Sequence, residues 1–551
     1  SVLHVLDVAT GQHVDGPIDR ARYSPVAWLP GGEAFYYVRR VDPSTVPADE
    51  EQYHRRIWLH RVGTSPDDDV LVFGDGRGMA GYDMTNYFGV SVSMDGRWLV
   101  VGASAGTAPR NDLWLADLSS GSIDSPDLRV VQEGVDASTS LHVGRDGRAY
   151  LFTDRDAPRG RIAVTTPADT SYESWVDLVP EDDEAVLEGY AILDGDALAA
   201  GVLLCSWTRH AMGEISVHAL ESGERSGSVP LPGLGSLTGL SERPEGGHEA
   251  WFGYTDSVTP SSVFHYDATS GETTLWATAP GTVEVPEVHS RQVEYCSADG
   301  TTVRMLVISP TKEPDEPRPT VLYGYGGFGM PMTPGYSAGL LAWVEAGGVY
   351  AIANLRGGSE EGEQWHRDGM REHKQNVFDD FHAAAERLVG DRWTSSDRLA
   401  ISGGSNGGLL VGAAMTQRPE LYAAVVCSAP LLDMVRYEQF GLGATWSDEY
   451  GSAAVPEELG WLLGYSPYHH VRVGADYPAT LFTVFDGDTR VDPMHARKMC
   501  AALQHATSGA RPVLLRRERD VGHGARALSR TVALTVDTLT FAARWTGLGL
   551  G

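Results

Sequence analysis

One phrase recurs through the first half of this 551-residue chain, a short run of alternating apolar residues closed by a polar turn. It reads LHVLDVATGQ from Leu3, IWLHRVGTSP from Ile57 and LWLADLSSGS from Leu113. It returns more loosely as IAVTTPAD from Ile162, ISVHALESGE from Ile215 and VFHYDATSGE from Val263. Alternation with period two marks a strand, and turn residues at the end of each run keep it short. Between the copies lie hairpin pieces, SMDGRWLVV at 93–101 and VGRDGRAYLFT at 143–153, whose Asp-Gly pairs set tight turns between two strands. Helical periodicity is almost absent as far as Gly281, so this region is expected to be all β.

A spacing of roughly fifty residues with four short strands per unit is the size of a β-propeller blade. A pair of β-sandwiches is the competing arrangement, because the repeat is loose and lacks a sharp signature such as Trp-Asp. The first copy opens the chain without its blade mates, so the propeller is expected to be incomplete at its N-terminal end. Pro280 and Pro286 then mark the loss of the repeat. The expected division is a propeller domain over 1–283 and a second domain over 284–551.

In the second half apolar strands alternate with helical stretches, the pattern of a doubly wound, mostly parallel sheet. PTVLYGYG reads as a strand running into a turn, and GGVYAIANLRGG at 347–358 as another. NVFDDFHAAAERLVG at 376–390 puts Val377, Phe378, Phe381, Ala384, Ala385 and Leu388 on one helix face and ends at Gly390. LAISGGSNGGLLVGAAM at 399–415 reads strand, then GxSxG, then helix. A nucleophilic serine on a sharp strand-to-helix turn needs such small neighbours, and the helix start beneath it favours developing negative charge. Alone, Gly-Ser-rich connectors are common. The flanking elements make Ser405 a candidate nucleophile.

Serine is inert without a base, so an acid and a histidine are sought downstream in the order Ser, Asp, His. ATLFTVFDGDTRVDP carries a strand followed by Asp486, Asp488 and Asp492, and the pattern does not choose among them. LLRRERDVGHGA ends another strand with His523 between two glycines, where a loop-borne imidazole has the reach of a general base. Gly324, Gly326 and Gly329 spell GxGxxG, but Pro331 and Pro334 occupy the place where a dinucleotide-binding fold needs a helix.

Composition narrows the partners. With 74 acidic and 43 basic residues the net charge is −31, which repels nucleic acid and anionic membrane surfaces; solubility is its plainest reading. No apolar run approaches the roughly 18 residues of a membrane span. Cys205, Cys296, Cys427 and Cys500 lie far apart without metal-ligand spacing, so no metal or disulfide is expected and the four read as reduced thiols of a cytoplasmic protein. The first residue is Ser1, which leaves an upstream targeting segment open.

The second half resembles the prolyl oligopeptidase family of serine peptidases, in the α/β-hydrolase superfamily. The resemblance is carried by YGYGGFG at 323–329, NLRGGSEEGEQWH at 354–366, KQNVFDDF at 374–381, GGSNGGLLVG at 403–412, WLLGYSPYH at 461–469, DGDTRVDPMH at 486–495 and GHGA at 522–525. The first half is similar to that family's propeller in placement and rhythm. The resemblance implies Ser405, Asp488 and His523 as the triad, so it chooses among the aspartates. It implies Tyr325 and the backbone amide of Asn406 as oxyanion donors. It implies Trp461 as the aromatic stacking on a substrate proline, Phe328, Tyr465 and Val491 lining the same pocket, and Arg490 binding the preceding carbonyl. A loop salt bridge is the plainer role for Arg490. The implied protein is a monomeric endopeptidase without cofactor that cuts short proline-containing peptides, the propeller filtering by size. A preference for basic residues, peptide macrocyclisation and an inactive binding scaffold are the alternatives.

Overall fold

The computed structural model describes residues 1–76, 79, 82–281, 284–524 and 526–549. Five antiparallel four-stranded sheets span 26–73, 87–132, 139–179, 185–228 and 236–278. In each of them the recurring phrase is the third strand: Arg55–Arg61, Asp112–Asp117, Arg161–Thr165, Met212–Ala219 and Ser262–Asp267. The remaining copy, Leu3–Leu6, pairs with His13–Ile18 in a two-stranded sheet, as third strands pair with fourth strands elsewhere. Both Asp-Gly pairs turn the chain from a first strand into a second, across Gly96 and Gly147 with φ of 74° and 79°.

Neighbouring sheets pack face to face, as propeller blades do. Leu99, Val101, Trp114 and Ala116 of the 87–132 sheet enter one apolar cluster with Tyr36, Ile57 and Leu59 of the sheet before it. Their alternates Trp98, Val100, Leu113 and Leu115 enter another with Leu141, Ala149 and Leu151 of the sheet after it. The two inner strands of this sheet therefore bury both of their faces, one against each neighbour. A sandwich pair would leave one face of each sheet to water, so the arrangement is a β-propeller.

The last propeller strand ends at Thr278. Residues 282–283, on which the expected boundary falls, lie outside the described residues. A single eight-stranded sheet follows: β1 His289–Cys296, β2 Thr302–Ser309, β3 Thr320–Tyr323, β4 Val349–Asn354, β5 Leu399–Gly404, β6 Ala424–Ser428, β7 Ala479–Phe485 and β8 Val513–Glu518, in the order β1-β2-β4-β3-β5-β6-β7-β8. The pairs β1/β2 and β2/β4 are antiparallel and all later pairs parallel. The helices are α1 Ala338–Glu345, α2 Glu363–Arg367, α3 Gln375–Gly390, α4 Asn406–Gln417, α5 Ser447–Tyr450, α6 Pro456–Tyr465, α7 Met494–Ala506 and α8 Leu528–Thr546.

Successive residues of the parallel strands face opposite helix layers. Val321, Ala400 and Ala424 meet Trp343 of α1 and Ala542 and Ala543 of α8. Leu322, Ile401 and Val425 meet Phe378 and Phe381 of α3, Leu409 and Leu410 of α4, and Leu503 of α7. All six apolar residues read from the α3 pattern are buried, and the helix ends at Gly390. This is an α/β-hydrolase sheet, and its parallel strands raise their C-terminal ends toward the propeller. Among the described residues no helix is long and apolar enough to cross a membrane, and no group of three or more His, Cys, Asp or Glu is arranged to hold a metal.

Candidate active site

Ser405 stands between β5 and α4 with φ 57° and ψ −117°, a conformation that L-residues rarely adopt. Its amide is held by the Ser428 carbonyl at 2.8 Å. The turn closes only because its neighbours lack side chains. A Cβ on Gly403 would lie 2.1 Å from the Gly407 carbonyl oxygen, and one on Gly407 would lie 2.8 Å from that of Gly324. The hydroxyl is thereby lifted off the sheet above the first amides of α4.

The three aspartates after β7 go three ways. Asp486 pairs with Arg517 and Arg497, and Asp492 receives the Met494 amide at the start of α7. Asp488 accepts from the amides of Arg490 and Val491 through Oδ1 and meets His523 Nδ1 at 2.6 Å through Oδ2. The carboxylate is therefore fixed by its own loop and leaves the other imidazole nitrogen available. Among the described residues no hydrogen bond joins His523 to Ser405.

Tyr325 follows β3 and lines the same cavity as Ser405. Burial pushes the Tyr325 phenol up to about 12, with the nearby Glu449 charge acting the same way, so it stays protonated and able to donate. Asn406 is buried and its side chain bonds back to the Tyr325 carbonyl at 2.6 Å. The first turn of α4 and the tyrosine segment are thus tied together directly.

Ser405 opens on a cavity of about 480 Å³. Phe328, Leu431, Leu442 and Trp446 give it an apolar wall beside Tyr325, and Arg490 stands at its edge. The opposite wall comes from the propeller, with Tyr23, Gly106 and Thr107 from loops and Tyr87 from the start of a strand. Thr107 donates its amide to the Thr445 carbonyl at 2.8 Å, next to Trp446. Arg490 makes no salt bridge among the described residues; its guanidinium reaches Tyr23 Oη at 3.0 Å. Burial alone would raise the Tyr23 phenol, but Arg490 and Arg22 outweigh it and lower it.

The residues expected to grip a proline ring are divided. Phe328 lines the cavity, edge-on to Trp446 at 6.5 Å between centroids. Tyr465 and Val491 are buried in the core behind it. Trp461 is outside the lining, half-buried with its ring against Gly451. Leu431 and Trp446 occupy the wall instead. Trp446 lies fifteen residues before Trp461, in a run of turns and short helices whose irregular periodicity gave no reason to single it out. The propeller contribution was invisible for a different reason, since loop tips of a repeat carry no chemical signature.

Comparison with known proteins shows what the chain is similar to. Residues 334–549 match the prolyl oligopeptidase family, and residues 1–279 match its N-terminal β-propeller domain. A prolyl endopeptidase of Elizabethkingia meningoseptica is 34% identical over 544 residues, which cover 98% of this chain and 74% of the relative. The dual function macrocyclase-peptidase POPB of Galerina marginata is 29% identical over 558 residues, 98% of this chain and 74% of the relative. Among solved structures, one from a study of two prolyl endopeptidases and their inter-domain dynamics superimposes with a TM-score of 0.92 at 41% identity, covering 100% of this chain and 78% of that one.

Proposed function

This chain belongs to the prolyl oligopeptidase family and is a serine peptidase, and we propose that it cleaves short peptides on the C-terminal side of proline. One observation carries the mechanism: Ser405, on its strained turn, and Tyr325 line one apolar cavity.

In this reading the proline ring sits against Phe328, Leu431 and Trp446, where flat aromatic faces suit a rigid apolar ring. Arg490 binds the carbonyl one residue upstream and so presents the scissile carbonyl to Ser405. His523, anchored at Nδ1 by Asp488, takes the hydroxyl proton through Nε2 as the complex forms, and returns it to the leaving amine. The oxyanion receives the Tyr325 hydroxyl and the Asn406 amide, each worth about 3 kcal/mol of barrier. Water then releases the acyl group by the same route in reverse.

The propeller, taken as 1–283 against a peptidase domain of 284–551, supplies the wall that limits substrates to short peptides; Tyr23, Tyr87 and Thr107 on the cavity support this. No acidic side chain is among the described lining residues, which disfavours a preference for Lys or Arg. The similarity to a macrocyclase-peptidase keeps capture of the acyl-enzyme by a peptide amine as a second outcome. Product masses from a panel of proline-containing peptides, for wild type and Ser405→Ala, test the proposal. New termini after proline, lost in the variant, are expected, with cyclic products marking amine capture. Cleavage elsewhere, or unchanged activity in the variant, overturns it.

A further inference from the structure

Three charged side chains that the mechanism does not use are buried directly behind the oxyanion segment. Lys374, Glu449 and His366 are 1%, 2% and 3% exposed. The Lys374 ammonium donates to the Gly326 carbonyl at 2.9 Å and to Glu449 Oε1 at 2.8 Å. Glu449 Oε2 meets His366 Nε2 at 2.9 Å. The chain continues outward with alternating sign, from His366 to Glu363 at 3.3 Å, Glu363 to Arg367 at 3.0 Å, and Arg367 to Asp136 of the propeller at 2.6 Å.

Gly326 is the residue after Tyr325. Its φ of 63°, and a Val377 methyl only 2.3 Å from where a Cβ would stand, leave that peptide a single way to lie. The ammonium of Lys374 grips the carbonyl on one side of this kink. On the other side, Asn406 Nδ2 grips the Tyr325 carbonyl, and Asn406 Oδ1 in turn accepts from the Tyr450 hydroxyl at 2.8 Å. Glu449 and Tyr450 are consecutive in α5, so one helical turn secures both clamps. Burying such charges is expensive, and well-packed apolar residues would hold the same elements together at least as well. An apolar residue could not aim a donor at the Gly326 carbonyl.

We propose that the buried Lys374–Glu449–His366 set is a positioning device that holds the Tyr325 hydroxyl on the oxyanion. It rests on the assignment of Tyr325 as an oxyanion donor. Stabilisation of a charge that exists only in the transition state depends on donor placement to a few tenths of an ångström, so loosening the segment should affect turnover and leave ground-state binding almost untouched.

The test is a double-mutant cycle on the full chain with a chromogenic proline substrate. Lys374→Met is expected to lower kcat by about 10- to 100-fold with KM within about threefold. In a Tyr325→Phe background the same substitution is expected to change kcat by less than about twofold, since the group it positions is gone. A peptidyl prolinal, whose aldehyde forms a tetrahedral oxyanion, is expected to bind Lys374→Met more weakly by a similar factor, and the matching alcohol equally well. If Lys374→Met does not fold, the charge-cancelling pair Lys374→Met with Glu449→Gln is read in the same cycle, and thermal melts report its fold. Additive losses in the two backgrounds, or equal weakening of aldehyde and alcohol, overturn the positioning role while the function stands. Full activity in Tyr325→Phe removes the oxyanion assignment and this proposal together.

Discussion

The two walls of the cavity are built on different principles. The peptidase wall rests on groups locked from behind: Ser405 by close glycine contacts, Tyr325 by two gripped carbonyls, Asp488 by the amides of its own loop. The propeller wall is made of residues reaching across the cleft from separate segments, Tyr23 to Arg490 through one hydrogen bond and Thr107 to the Thr445 carbonyl through its amide and hydroxyl. Placement to tenths of an ångström demands a densely packed surround, whereas shaping an entrance does not. Substitutions of these locked groups should therefore damage turnover, and those of the propeller wall and of Arg490, which meets it across the cleft, should alter binding or access.

The largest effect expected is from Ser405→Ala, a loss of roughly 10^6-fold in kcat with peptide binding retained, read by kinetics and by calorimetric titration of a peptide. Tyr325→Phe is expected to lower kcat by roughly 10^2- to 10^3-fold with little change in KM; a loss confined to KM would erase the contrast between the walls. Arg490→Ala is expected to raise KM by about tenfold, and its propeller partner Tyr23→Phe by about twofold, because Tyr23 acts only through the guanidinium. A larger effect at Tyr23 than at Arg490 would make the propeller wall a binding surface in its own right.

The peptidase wall should also show itself in pH. Burial would lower the His366 imidazole, but Glu363 and Glu449 outweigh it and raise it to about 9 from an ordinary 6.5. A folded-state value above the unfolded one means that stability is fully present below pH 6.5 and is lost as pH rises through about 9. Melting temperature is expected to fall across that window in wild type and to fall less in His366→Gln. The smallest effect belongs to Asp136→Asn, which breaks an exposed pair at the outer end of the charge chain. Its change in kcat should stay within about twofold and vanish in high salt.

Legibility in the sequence followed the range of the interactions concerned. The recurring phrase was readable because in the four-stranded sheets it forms the third strand, an inner strand paired on both edges, so its alternation repeats from sheet to sheet. The α3 face and the GxSxG turn were readable because helix period and the contact of Gly403 with Gly407 are settled within a few residues. Reading Trp461 as a cavity residue depended on resemblance; the lining of the described cavity includes Trp446 and not Trp461. Whether an aromatic in that irregular stretch faces the core or the cleft depends on segments that meet it only in the folded chain.

From local periodicity and local sterics alone, the chain specified a propeller followed by a doubly wound sheet, and a serine lifted above a helix start. Folding selected the partners: Arg490 with Tyr23 across 467 residues, one aspartate of three for His523, and Lys374, Glu449 and His366 drawn from separate segments to the back of one tyrosine. Such contacts leave no periodic trace, because each residue's immediate neighbours in the chain are indifferent to them. They arise only when layers packed for their apolar faces bring distant polar groups within hydrogen-bonding distance.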